Sequence, residues 1–326
     1  MRVAVTGSIA TDHLMTFPGR FAEQLLDGNL EQVSLSFLAD ELEVRRGGVA
    51  ANIAVGLSRL GQRPLLVAAA GRDFAEYAEW LRAQAVDTGA VRVSTERHTA
   101  RFVCTTDADQ NQIATFYAGA MAEARHIDLA AELVRAGDIA LVMVGPDDPA
   151  AMLRHTDACR ASGTDFAADP SQQLARLGPE EARRLVEGAR FLFTNAYESA
   201  LLAERTGWSR AELLDRVGCW LITQGADGVV IARAGEPDVA VPAVAPERIA
   251  DPTGAGDGFR AGFLSGTARG LPLAHAARLG CAVAAVVLET VGTQEYKLSA
   301  ADLWMRIESA YGPATAAAII NDLELP

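Results

Sequence analysis

The chain opens on a β-branched run, Val3 to Thr6, that stops at Gly7-Ser8, the pattern of a buried strand running into a turn. The stretch from there to about residue 32 keeps no period and reads as irregular. Two segments then alternate apolar and polar positions, Val33 to Ala39 and Glu41 to Arg46, and predict half-exposed strands closed by Gly47-Gly48. From Val49 to Leu60 the residues Ile53, Leu57 and Leu60 recur at helical spacing, Gly61 supplies the stop, and Leu65 to Ala70 is a further buried strand. A second alternating pair, Arg101 to Asp107 and Gln112 to Ala118, flanks the short polar segment 108–111 and predicts a hairpin.

From about residue 126 the rhythm becomes regular. Strands at Ile139 to Val144, Asp165 to Ala168, Phe191 to Thr194 and Trp220 to Thr223 alternate with helices near 148–161, 179–188, 197–205 and 209–217. Strand Val229 to Arg233 and a proline-rich connection (Pro237, Pro242, Pro246) lead on to Asp251. This alternation implies a parallel sheet covered on both faces, with ligands at the carboxyl ends of its strands. The four half-polar strands, taken from two places in the chain, imply an accessory sheet outside the main core. One α/β domain over 1–326 is expected, with lid segments at about 14–46 and 97–119.

Composition narrows the chemistry. The 29 basic and 42 acidic side chains leave a net charge of −13, and Lys297 is the only lysine. A GxxxxGK[ST] phosphate loop and a protein-kinase site both require a lysine elsewhere in the chain, so neither can be built. An acidic chain has no general attraction for nucleic acid or anionic lipid, which leaves small molecules as the expected partners. Cys104, Cys159, Cys219 and Cys281 are widely spaced, which suggests buried apolar residues rather than a metal pair or a disulfide scaffold. No leader or spanning segment is visible, and a cytoplasmic location is the expectation.

The strongest local signal is Asp251-Pro252-Thr253-Gly254-Ala255-Gly256-Asp257-Gly258-Phe259, opening an apolar helix. Glycines at 254, 256 and 258 leave the backbone bare, so the successive N–H groups of Gly254, Ala255 and Gly256 can converge on an anion, and the helix dipole adds partial positive charge. This cradle needs no lysine. Asp257, inside it, is placed to take a proton from an attacking hydroxyl. The plainer reading is a glycine-rich turn in which Asp257 caps the helix. A dinucleotide site is disfavoured, because no GxGxxG follows the first strand.

The stretch Asp251 to Asp257 resembles the signature of the ribokinase family of carbohydrate and nucleoside kinases. Four more blocks stand in that family's order: Gly7-Ser8-Ile9-Ala10-Thr11-Asp12, Gly47-Gly48-Val49-Ala50-Ala51-Asn52, Asn195-Ala196-Tyr197-Glu198 and Thr223-Gln224-Gly225-Ala226-Asp227-Gly228. Within the family, SIATDHLMTFPGRF, FAADPSQQLARL and GTQEY are most similar to the adenosine kinase branch of actinobacteria. The resemblance implies an α/β, ribokinase-like three-layer sandwich with a mainly parallel sheet and a small β-sheet lid. It implies ATP-dependent phosphorylation of the 5′-hydroxyl of adenosine, giving AMP and ADP in purine salvage, with Mg²⁺ and, in many members, K⁺. A sugar kinase of the same fold, acting on ribose, fructose or a sugar phosphate, and a non-catalytic nucleoside or sugar sensor are the alternatives.

The family's roles transfer to matching positions. Asp12, Gly47, Gly48 and Asn52 would hold the ribose; Phe102 and Phe116 would stack on the purine; Gln172 and Gln173 would read its edge; Ser8 and Ser36 would line the same pocket. Asp257 would be the catalytic base over the Gly254–Gly256 cradle. Asn195, Thr223, Gly225 and Gly228 would meet ATP. Glu198 would act on Mg²⁺, chiefly through water, with Asp169 as a further carboxylate in that network. Asp251 and Thr253, with backbone oxygens near Gly292, would offer a shell for K⁺. Each also has a plainer reading as a cap, turn or small local core. Exposed lid edges invite pairing with a second copy, so a homodimer through the lid is expected.

Overall fold

The computed structural model describes residues 2–24 and 36–321. Its strands, in chain order, are β1 Arg2–Thr6, β2 Ala10–Thr16, β3 Glu41–Gly47, β4 Leu65–Ala70, β5 Asp87–Val93, β6 Ala100–Thr106, β7 Gln112–Tyr117, β8 Ile139–Val144, β9 Asp165–Ala168, β10 Phe191–Asn195, β11 Trp220–Thr223, β12 Val229–Ala232 and β13 Val239–Val241. The larger sheet has the order β13-β12-β11-β10-β9-β8-β1-β4-β5. It is parallel from β5 across to β11 and ends in the antiparallel pair β12 and β13.

Strand alternation sorts the core into two layers. Val3, Val5, Leu66, Ala68 and Met143 face helices Val49–Arg59, Ala255–Ala268 and Leu273–Leu288, whereas Ala4, Leu65, Val67, Val142 and Val144 face helices Pro149–Ser162 and Pro179–Val186. This is the expected α/β three-layer arrangement. Phe259 and Phe263, on the helix that starts at Ala255, are buried against Phe193. Burying such a side chain contributes about 1.5–3 kcal/mol, so the pitch of that helix, and with it the direction of Asp257, is set by the core.

The chain runs from β1 to β4 and β5 on one side and then crosses to β8 on the other. Strand order therefore reverses at β1 and β8, where open α/β sheets offer a crevice for ligands. Gly145 N–H donates to Thr6 O at 2.9 Å and Ser8 N–H to Pro146 O at 3.1 Å, stitching the two loops that border this crevice.

The second sheet has the order β3-β2-β6-β7, with β2 and β6 parallel and the other pairs antiparallel. Two expectations are corrected here. The segment expected to be irregular contains β2, whose burial alternates too weakly to show as a period because both of its faces are half-covered. The expected strand Val33 to Ala39 is not formed over its described part, 36–39, while residues 33–35 lie outside the described residues. Phe37 packs instead against Phe17 and Phe21, with ring centroids 5.0 and 4.8 Å away. All four cysteines are buried and unpaired, as expected.

Candidate active site

Gly254 stands at the N-terminus of helix Ala255–Ala268 with φ +81°, a conformation that favours glycine, and no side chain caps the helix. The first-turn N–H groups of Gly256 and Asp257 have no helical acceptor by geometry. Asp251 braces the turn: its Oδ1 accepts from Thr253 N at 2.9 Å and its Oδ2 from Gly292 N at 3.1 Å. Pro252, which has no N–H to place, fits between them.

Asp257 does not cap this helix. Its Oδ2 accepts from Asn52 Nδ2 at 2.8 Å. Burial is the largest influence on its carboxyl and pushes the pKa up to about 6, helped by nearby Asp169 and opposed by the Arg260 charge and the Asn52 amide. A base tuned into that range is ionised at neutral pH yet still accepts a proton readily.

Asn52 is buried at the first turn of helix Val49–Arg59. Its Oδ1 lies 2.7 Å from Gln294 Nε2 and 3.0 Å from Thr293 Oγ1. Gln294 Nε2 also donates to Tyr77 OH at 2.6 Å, and Tyr77 OH donates to Gly47 O at 2.9 Å. The Thr293 hydroxyl has one hydrogen to share between Asn52 Oδ1 and Arg46 O, which is 3.2 Å away. Gly48, with φ +96°, presses against the loop after β1; a Cβ there would stand 2.6 Å from Ser8 O. Ser8 is committed to that junction, its Oγ accepting from Val49 N at 3.1 Å.

Beneath the cradle lies a buried ion pair. Arg260 Nε is 2.6 Å from Asp169 Oδ2 and its Nη2 2.9 Å from Oδ1, with the two side chains 9% and 1% exposed. A Cβ on Gly256 would meet Arg260 Nη1 at 2.8 Å, so the guanidinium sits directly under the cradle backbone. Asp169 is thus committed to Arg260, not open to a metal ion. Arg260 was not singled out from the sequence, although its position three residues after Asp257 puts both on one helix face.

The small sheet contributes a row. Arg45 pairs with Asp12, Asp12 with Phe102 and Phe102 with Phe116, so the four side chains share one face across β3, β2, β6 and β7. This face looks toward the cradle, since Arg45 Nη1 is 3.6 Å from Asp251 Oδ2. Gly47 leaves room beside Asp12: a Cβ there would approach the carboxylate to 3.0 Å. Burial raises the Asp12 carboxyl above its ordinary value, against the pull of Arg45. Phe116 is 53% exposed, a large apolar side chain left open on this face among the described residues.

The glutamines separate. Gln172 is exposed and accepts from Ser171 Oγ at 2.6 Å, whereas Gln173 is 5% exposed with its Oε1 unpartnered. Ser36 is exposed and lies in no strand. At the far side of the larger sheet, Asn195, Tyr197, Thr223, Gln224, Gly225 and Asp227 border an open cavity of about 480 Å³. Gly228 lies behind it, packed so closely that a Cβ would meet Val241 O at 2.1 Å. Asn195 and Glu198 form a reciprocal cap, each side chain accepting from the other's backbone N–H at 2.8 Å. Among the described residues no group of three His, Cys, Asp or Glu gathers to hold a metal ion. The remaining carboxylate oxygen of Glu198 suits a cation that arrives with phosphates and is held through water.

A family model described as pfkB family carbohydrate kinase matches residues 6–300. The nucleoside kinase of Methanocaldococcus jannaschii is 32% identical over 252 residues, which span 76% of this chain and 80% of that protein. The structure of Burkholderia thailandensis nucleoside kinase in complex with inosine aligns with a TM-score of 0.82 at 36% identity, covering 95% of this chain and 98% of that one. The same protein in complex with ADP-inosine aligns with a TM-score of 0.81 at 37% identity, covering 95% and 96%.

Proposed function

Because the chain belongs to the pfkB family of carbohydrate kinases, we propose that it is a nucleoside kinase that transfers the γ-phosphoryl group of ATP to the 5′-hydroxyl of adenosine. The observation that carries the nucleoside reading is the lid row. It sets a carboxylate suited to a ribose diol, Asp12, beside two opposed aromatic residues suited to a base, Phe102 and Phe116, on the face turned to the cradle. In this reading the sugar lies under Asp12 and Gly48, Asp257 takes the 5′-hydroxyl proton, and the Gly254–Asp257 backbone receives the charge that develops on phosphate. Asn195, Thr223 and Gly225 border the cavity assigned to ATP. Mg²⁺ would neutralise phosphate charge, and Glu198 would hold it through water. K⁺ beside Asp251 is the lesser part of the proposal, because Thr253, Gly292 and Arg45 already serve that carboxylate.

Adenosine, rather than another nucleoside, is proposed on the similarity of SIATDHLMTFPGRF, FAADPSQQLARL and GTQEY to the adenosine kinase branch. The sugar-phosphate alternative needs a basic pair, but both arginines are engaged. Arg45 holds Glu43 at 2.6 Å and Arg46 lies over Trp80, 4.9 Å from its centroid, on the opposite lid face. The test is ADP release from ATP and Mg²⁺, with and without K⁺, on adenosine, inosine, guanosine, ribose, fructose and fructose 6-phosphate. The expected result is the highest kcat/KM for adenosine; a preference for a free or phosphorylated sugar removes the nucleoside assignment, and adenosine binding without ADP release favours a sensor.

The homodimer belongs to the same proposal. Leu42, Val44 and Ile113 are exposed on the outer lid face, at 62%, 54% and 46%. Leu42→Asp with Val44→Asp is expected to halve the mass measured by light scattering and leave the melting temperature within a few degrees. A native protein that is already monomeric at micromolar concentration ends this part of the reading.

A further inference from the structure

The hydrogen bonds around Asn52 form a directed chain whose polarity is fixed from one end. The Gly47 carbonyl can only accept, and being backbone it cannot turn over. Tyr77 OH must therefore donate to it, at 2.9 Å. Burial raises the Tyr77 hydroxyl well above its ordinary pKa, which keeps it a donor. With its hydrogen spent on Gly47, the Tyr77 oxygen can take only an N–H from Gln294, at 2.6 Å, which places the nitrogen of Gln294 inward. That nitrogen also meets Asn52 at 2.7 Å, so the atom of Asn52 facing it must be oxygen, and the Asn52 nitrogen is left to face Asp257. An Asn amide is nearly symmetric in shape, and without this chain its two orientations would differ little sterically. Electrostatically they are opposite: one gives the carboxylate a donor, the other a carbonyl oxygen.

We propose that Tyr77 and Gln294 are positioning residues that fix the orientation of the Asn52 amide toward Asp257, and that they take their reference from the Gly47 carbonyl at the hinge of the lid. Thr293 reinforces the setting from the side. The inference rests on the reading of Asp257 as the base. Because Gly47 ends β3 and pairs with Ala10, any movement of the lid strands about this point displaces the acceptor that orients the chain.

The test reads pH dependence. The charged and titratable groups facing Asp257 are Arg260 on its own helix, Asp169 after β9 and Tyr296 of the segment after Leu273–Leu288. None of them touches Gln294 or Tyr77 by a hydrogen bond or ion pair. An ionised Asp257 is the active form, so kcat rises with pH through its pKa, near 6 in the native protein. Gln294→Met and Tyr77→Phe keep the volume and free the Asn52 amide to turn its carbonyl to the carboxylate. The rising limb is then expected to move up by about one pH unit, with kcat lost at pH 6.5 and recovered at pH 8.5. In an Asn52→Ala background the same substitutions should leave the limb where that variant alone puts it.

A limb that stays in place in both variants, or that moves equally in the Asn52→Ala background, overturns the inference. Circular dichroism and melting identify a variant that fails to fold. Tyr77→Phe, which removes one oxygen atom, then carries the test alone. Asp257→Asn separates the two levels: if that variant turns over normally the base assignment has failed, and if it is inactive while the limb stays in place only the present inference has.

Discussion

Asp257→Asn is expected to bind adenosine within a few-fold of the native protein while phosphoryl transfer falls by about 10²- to 10⁴-fold, the usual contribution of a positioned general base. The substitution is nearly isosteric, and the new carbonyl can still accept from Asn52, so the acceptor pocket keeps its shape. What disappears is the ability to hold a proton. Single-turnover ADP formation and calorimetric adenosine binding separate the two effects; native-like turnover would remove Asp257 from the role.

The same variant should be the more stable protein. The native carboxyl has its pKa raised from 3.8 to about 6 by burial, so folding works against its ionised form at neutral pH. Two pKa units correspond to nearly 3 kcal/mol at full burial, and partial exposure reduces this to about 1–2 kcal/mol. A raised carboxyl pKa favours the folded state only while the proton is bound. The advantage of the Asn variant is therefore full above pH 6 and shrinks as pH falls from 6 toward 3.8. Denaturation at pH 7.5 and pH 4 should show the gap closing.

Arg260→Met carries the second large effect. It strands the Asp169 carboxylate, 1% exposed, in the core, and breaking one side of a buried pair costs about 3–5 kcal/mol. Transfer should also weaken, because the positive charge under the Gly256 backbone is lost. Adding Asp169→Leu should return most of the stability, since no charge is then left unpaired, but should not return kcat. Urea unfolding and ADP release on the single and double variants check this. A double variant as active as the native protein would reduce the pair to a packing feature.

The central strands of the larger sheet were legible because they are buried on both faces and read as unbroken apolar runs, such as Leu65 to Ala70, whereas the edge strands Asp87–Val93 and Val239–Val241 have exposed positions and give no such run. The cradle was legible because its glycines, at 254, 256 and 258, fall within one short stretch of sequence. The lid was harder. Ala10–Thr16 has one face on the pocket and one half-covered, and neither enforces a hydrophobic period. The buried polar groups were the least visible part: Tyr77 and Gln294 come from a separate helix and loop with nothing local to distinguish them from ordinary polar residues, and Arg260 is marked only by its spacing from Asp257. In the sequence GTQEY carries only a family resemblance, and its Gln294 acquires a task when the fold brings it to Asn52.

The parallel pairing of β2 with β6 has a consequence for modularity. It joins residues 10–16 to 100–106, and the chain between them includes β4 and β5 of the larger sheet. Closing a loop of roughly 90 free residues costs about 4 kcal/mol of chain entropy, a cost lowered here because β1 and β5, joined through β4 in the larger sheet, already bring the two ends toward one another. The lid therefore borrows its closure from the main sheet. It cannot be excised as a unit or grafted as an insert at one site, and any exchange of substrate-binding surface between relatives has to carry both chain segments together.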